Sequence, residues 1–193
     1  RNRSTARTQK IRGIWSHIAG SWFCKKKRSS QSSQKEDHAQ TFPVLNEKTA
    51  HKKYDTILRS VKKLVGGKTT YLQQLDKAGT QLFGAKFHGV YPSDKIPTLN
   101  NRTPYAILNL DKSNQSGSHW IAVAKSGKNI IAYDSFGRNN KHIIPALGRG
   151  FDGRIIDTDR DVEQDILATD CGARSLGFLV FFDRYGAQNA LLI

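Results

Sequence analysis

Four residues of this chain have the types and order that nucleophilic catalysis by a thiol requires: His119, Asp134, Gln164 and Cys171. A thiol nucleophile needs a base to hold the thiolate, a group that fixes the base's tautomer, and donors for the oxyanion. Cys171 supplies the nucleophile, His119 the base and Asp134 the orienting acid. Gln164, seven residues before the thiol, supplies an oxyanion donor. Each has a duller reading when taken alone. A His beside Trp120 is commonly structural, an Asp in a YDSFG stretch shapes a turn, and a Cys before Gly in an apolar run belongs to the core. Their joint placement on the predicted elements is what favours chemistry.

Those elements follow from periodicity. Residues 119–125 (HWIAVAK) and 130–134 (IIAYD) read as strands joined by a tight turn at 126–129, a hairpin. His119 opens the first strand after the polar 112–118 loop, and Asp134 ends the second. The two therefore meet at one end of the hairpin, close enough for an imidazole Nδ1–H to reach a carboxylate. Residues 171–185 (CGARSLGFLVFFDRY) are apolar nearly all round and long enough for a buried helix. Cys171 begins it, where free backbone N–H groups and the helix dipole favour a thiolate. The Cys171 amide also points toward a developing oxyanion, with the Gln164 side chain as second donor.

Further strands are expected at 104–110 (PYAILNL) and 153–158 (GRIIDT), and a short helix at 140–147. Upstream, residues 49–65 form a basic amphipathic helix with Tyr54, Ile57, Leu58, Val61, Leu64 and Val65 along one side. It stops at Gly66-Gly67. A second helix over 69–83 carries Leu72, Leu75, Leu82 and Phe83. Strands plus one buried helix, with helices on the N-terminal side, define an α+β architecture. It is a mixed sheet with a buried central helix that carries the nucleophile at its N-terminus.

The formal charge of +15 over 193 residues is unevenly spread. Residues 1–70 hold 17 Lys/Arg against 4 Asp/Glu, whereas residues 71–193 are nearly balanced, at 14 against 12. The basic character belongs to the N-terminal third and points to a polyanion or an anionic surface there. Residues 11–23 place apolar side chains at helical spacing, and Lys25, Lys26, Lys27 and Arg28 follow. Such a segment suits DNA, a membrane surface or a protein partner. Residues 29–41 read as a flexible linker. Two cysteines, Cys24 and Cys171, are too few for a disulfide framework and fit no zinc spacing, so a reducing compartment is expected. No run approaches the ~18 apolar residues of a membrane span. Asp157-x-Asp159-x-Asp161 opens like a calcium loop but lacks the glycine and the final glutamate, so no metal or other cofactor is expected. The lack of methionine predicts that Arg1 is not a native start.

The motifs Ser118-His119-Trp120, Tyr133-Asp134-Ser135-Phe136-Gly137, Gln164 and Asp170-Cys171-Gly172 together resemble the signature of adenovirus-type maturation cysteine proteases. Related enzymes occur in virophages and virus-like DNA transposons. Phe87-His88-Gly89-Val90, Asp94, Pro97 and Ala106-Ile107-Leu108-Asn109 resemble that family's lead-in to the His, so the similarity covers roughly residues 70–185. Asp134 stands where adenoviral enzymes carry Glu, and its shorter reach demands slightly closer strands. The resemblance implies a papain-like or ubiquitin-like-protease type of architecture and a Cys–His–Asp triad with a Gln oxyanion donor. It also implies cleavage of viral structural precursors after Gly-Gly-type sites, with a DNA or peptide activator as an open question. The expected setting is the virion and the infected-cell cytoplasm or nucleus, and the expected form a monomer.

Leu64-Val65-Gly66-Gly67-Lys68 matches the adenoviral cleavage preference, so self-cleavage between Gly67 and Lys68 is an expectation beside the plain reading of a Gly-Gly helix stop. It would free the basic N-terminal segment from the catalytic core. The implied organisation is a basic segment and linker at 1–40, a basic helical segment at 41–67, and a catalytic domain at 68–193. The same residues would serve a ubiquitin- or SUMO-removing protease, or an acyltransferase. A rival from another class is a basic DNA- or membrane-binding virion protein in which residues 119–171 are purely structural.

Overall fold

In this computed structural model the described residues are 42–66, 70–138, 154–158, 161–165 and 167–193. Cys24, the basic run Lys25–Arg28, the linker, the helix expected at 140–147, Asp159 and the Gly67–Lys68 bond lie outside them. Residues Thr41–Ile193 form one compact unit.

Among the described residues the protein is α+β, with a mixed five-stranded sheet and three helices. Helix α1 spans Glu47–Val65 and helix α2 spans Leu72–Phe83, followed by a short 3-10 turn at Gly84–Lys86. The strands are β1 (Phe87–Pro92), β2 (Tyr105–Asn109), β3 (Trp120–Ser126), β4 (Asn129–Tyr133) and β5 (Arg154–Asp157). They lie side by side in sequence order. The central pairs β2–β3 and β3–β4 are antiparallel, and the outer pairs β1–β2 and β4–β5 are parallel. Helix α3, Cys171–Ala190, closes the fold.

Both faces of the sheet are buried, which is why its strands read as apolar runs rather than clean alternations. Tyr105, Ile107, Ala122, Ala124, Ile131 and Tyr133 face the helices. Their neighbours Ala106, Leu108, Ile121, Val123, Ile130 and Ala132 form a second cluster with Leu99 on the other face. Helix α3 lies on β3, where Ser175 Oγ donates to the Trp120 carbonyl at 3.1 Å. On the helix's other side, a Cβ added to Gly177 would meet Tyr54 at 3.5 Å and the Leu58 Cα at 3.7 Å, so α1 also approaches at backbone range. The length of α3 carries one break. Gly186 is non-helical (φ 78°, ψ 170°), so the regular helix ends where the apolar pattern predicts, near residue 185.

Two elements differ from expectation. Strand β1 lies where the sequence shows none, because it is short and bulged: the register shifts between Phe87 and Gly89, and Gly89 takes φ 133°. The α2 face also differs. Leu75, Ala78 and Gly79 are its buried residues, while Leu72 is exposed.

Helix α1 packs within the same compact unit as residues 68–193. Asn46 caps it by accepting from the Thr49 amide at 2.9 Å. At its other end Gly66 takes the left-handed conformation, and its N–H donates to the Lys62 carbonyl at 3.1 Å. Ala50, Tyr54, Ile57, Leu58, Val61 and Val65 are all buried.

Candidate active site

The β3–β4 register sets the geometry of the site. Ala122 pairs with Tyr133, which puts the ends of the hairpin, His119 and Asp134, within diagonal reach of each other. The His119 Nε2 lies 2.6 Å from Asp134 Oδ1, and the two side chains are 4% and 2% exposed. The bond therefore uses Nε2, not the Nδ1 expected from the hairpin alone. The aromatic ring of Phe136 lies against the imidazole, centroids 4.7 Å apart, and limits the plane of the ring.

This arrangement leaves Nδ1 buried with no hydrogen-bond partner. The Cys171 thiol is near enough to act on the same ring without a hydrogen bond of ordinary geometry between them. Burial pulls the His119 pKa down, but Asp134 and Cys171 outweigh it and hold the imidazole above its ordinary 6.5. Asp134 is held below its ordinary value. Burial opposes this, and the His119 contact, the Phe136 amide and Arg138 overcome it. Asp134 Oδ1 accepts the Phe136 N–H at 3.0 Å, and Oδ2 accepts from Arg138 Nε at 3.1 Å. Arg138 also covers the outer face of Phe136, its guanidinium 5.0 Å from the ring centre.

Cys171 is the first residue of α3 and is buried. Its amide is one of the orphan N–H groups of the first turn. A capping carboxylate would compete for those groups, yet Asp170 makes no side-chain cap. Its oxygens turn instead to Lys62 Nζ at 2.5 Å and Arg174 Nε at 3.1 Å. The helix N-terminus is thus left open to an anion. Gly172 is dictated by space, since a Cβ there would lie 2.0 Å from Thr70 Oγ1 and 2.9 Å from Leu75 Cδ2. Thr70 is itself clamped, its carbonyl accepting from Trp120 Nε1 at 3.2 Å.

Gln164 is 1% exposed. Its Oε1 accepts from Ser135 Oγ at 2.6 Å, and its Nε2 donates to the Ala168 carbonyl at 2.6 Å. One N–H of the carboxamide remains for an oxyanion. The side chain is thereby tied to the residue after Asp134 and to the loop that leads into Cys171.

Ser135 and Asp170, which stand inside the motifs around Asp134 and Cys171, belong to this assembly, and so do Arg138 and Glu163, which have no signal in the sequence beyond standing near Asp134 and Gln164. Among the described residues no group of three or more His, Cys, Asp or Glu side chains could hold a metal ion, and no helix is long and apolar enough to cross a membrane. No protein-family model matches the chain, and no curated protein matches it.

Proposed function

We propose that the chain is a thiol hydrolase in which Cys171, His119 and Asp134 form a triad and Gln164 completes the oxyanion site. The observation that carries this reading is the buried His119–Asp134 pair, whose free Nδ1 shares its surroundings with a thiol at an uncapped helix N-terminus. A structural histidine gains nothing from a second buried nitrogen left unbonded, since such a group costs free energy. In catalysis that nitrogen carries the proton.

The thiolate of Cys171, paired with the imidazolium of His119, attacks the scissile carbonyl carbon. The oxyanion lies between the Cys171 amide and the remaining Gln164 N–H. Nδ1–H of His119 then protonates the leaving amine, giving a thioester. Water, its proton taken by Nδ1, attacks that thioester and restores the thiol.

Within that class the reading that best fits the motifs is an adenovirus-type maturation endopeptidase of papain-like or ubiquitin-like-protease architecture. It would cut viral structural precursors after Gly-Gly-type sites inside a particle. The basic N-terminal segment would tether it to DNA or to a membrane surface, and no cofactor would take part in the chemistry.

The test is labelling with an electrophilic Gly-Gly peptide probe, followed by mass spectrometry, on wild type, Cys171→Ala and His119→Ala. Adduct on Cys171, lost in both variants, is the expected result. Adduct on Cys24 alone, or on neither thiol with and without DNA, removes the proposal.

A further inference from the structure

We propose that Glu163 is a positioning residue, which with Tyr133 and Tyr54 forms a buried strut that holds the Gln164 carboxamide against the Asp134 turn. The inference rests on the hydrolase reading above and goes beyond its four residues.

Glu163 precedes Gln164, and Tyr133 precedes Asp134. The two preceding residues are bonded to each other, the Tyr133 hydroxyl donating to Glu163 Oε2. The backbone repeats the tie, since the amides of Glu163 and Gln164 both donate to the Ser135 carbonyl, at 3.1 and 3.0 Å. Asp134 is therefore flanked on both sides by residues that grip the oxyanion segment, Tyr133 through Glu163 and Ser135 through Gln164.

The strut is anchored behind the site. The Tyr133 ring stacks on Phe178 of α3, centroids 4.6 Å apart and planes 4° from parallel. Having given its own proton to Glu163, its hydroxyl accepts that of Tyr54 on α1 at 2.7 Å, and the Tyr54 oxygen stands 3.3 Å from the Arg174 carbonyl, one turn beyond Cys171. The turn at Asp134, the oxyanion segment and the start of α3 thus converge on one pair of phenols and a carboxyl group.

The chemistry of this strut is costly for mere packing. Burial pushes the Glu163 carboxyl above its ordinary range, against the opposing pull of the Tyr133 hydroxyl. Its Oε1 is buried without a hydrogen bond, His51 Nδ1 stands off at 3.8 Å, and the Arg174 guanidinium acts on the carboxylate only through space. Apolar residues would fill the same volume at lower cost. What they cannot do is fix the direction of the chain at residue 164, on which the oxyanion N–H depends. A misplacement of about 1 Å there is worth roughly a hundredfold in rate.

The experiment separates the oxyanion arm from the thiol. Alkylation of Cys171 by iodoacetamide needs the thiolate but no oxyanion donor, whereas cleavage of a Gly-Gly peptide amide needs both. Tyr133→Phe removes only the hydroxyl and keeps the stack. Tyr133→Phe and Glu163→Ala are each expected to lose about 10- to 100-fold in kcat, with KM within about twofold. Alkylation rates should stay within about twofold of wild type. Glu163→Gln, which keeps an acceptor for Tyr133, should recover kcat to within about fivefold. Unchanged kcat in Tyr133→Phe and Glu163→Ala overturns the inference. So does a parallel fall of kcat, alkylation and melting temperature, which would make the strut general packing. A wild type that neither cleaves the peptide nor is alkylated at Cys171 sinks the hydrolase reading itself, and this inference with it.

Discussion

His119 divides its two ring nitrogens between a carboxylate and the surroundings of a thiol, and this division makes a definite pH signature. The thiolate–imidazolium state ends when His119 deprotonates. Because Asp134 and Cys171 hold the His119 pKa above 6.5, the basic limb of kcat/KM falls above that value. Asp134→Asn removes the negative charge responsible, so the limb should move to lower pH. Activity at the optimum should also drop by about tenfold or more, since Asn holds the ring without stabilising its charge. Stability carries the same pair with two opposite signs. The raised His119 contributes fully below its ordinary 6.5 and loses that contribution as pH rises through its folded value. The lowered Asp134 contributes above its ordinary 3.8 and loses its share as pH falls through its folded value. The stability gap between wild type and Asp134→Asn should therefore be widest between pH 3.8 and 6.5, read by denaturant melts across that range. A gap that grows steadily toward alkaline pH would contradict the assignment.

The site is assembled by a hairpin and a helix, and those were the elements legible in the sequence. Seven residues of β3 and five of β4 make a ladder whose register follows from a two-residue turn, so the meeting of His119 with Asp134 could be read from spacing. Which imidazole nitrogen meets the carboxylate could not be, because strand spacing brings the ring to Asp134 without fixing its rotation about the Cβ–Cγ bond, and either flip presents a nitrogen. Strand β1 escaped for a related reason: a bulge at Gly89 breaks the period that identifies strands. Helix α3 was legible because it is apolar on every side, and its start at Cys171 carries a prediction. At Gly172 the only space for a Cβ is occupied by the Thr70 hydroxyl and a Leu75 methyl, at 2.0 and 2.9 Å. Gly172→Ala should raise intrinsic helix propensity yet destabilise by about 1–3 kcal/mol, the usual cost of overpacking. It should also displace the nucleophile, lowering the Cys171 alkylation rate. Pairing it with Thr70→Ser, which moves the same hydroxyl more freely, should recover part of the loss. A Gly172→Ala protein as stable and reactive as wild type would show that the helix start is loosely held.

At the scale of the whole molecule, the boundary that charge suggests and the boundary that packing creates fall in different places. Basic residues are dense up to Lys68, which sets 41–67 apart by composition, but α1 contributes Tyr54, Ile57, Leu58, Val61 and Val65 to the main core. Ahead of it, Asn189 near the end of α3 holds the incoming chain, accepting from the Leu45 amide at 2.8 Å and donating to the Pro43 carbonyl at 2.9 Å. Five large apolar side chains at ~1.5–3 kcal/mol each come to roughly 8–15 kcal/mol, comparable to the entire net stability of about 5–15 kcal/mol typical of a domain. A protein beginning at residue 41 should therefore keep a melting temperature within a few degrees of the full chain, while one beginning at Lys68 should not fold alone. Self-cleavage between Gly67 and Lys68 then takes on a different consequence. The cut would sever the chain without releasing α1, whose apolar face stays buried against α3 and whose Tyr54 stays bonded behind the site. The two fragments should co-elute in size-exclusion chromatography after cleavage and separate only in denaturant, and a synthetic 41–67 peptide should restore folding to the 68–193 chain. If instead residues 68–193 fold and react at full rate without that peptide, α1 is an accessory and the compositional boundary is the physical one.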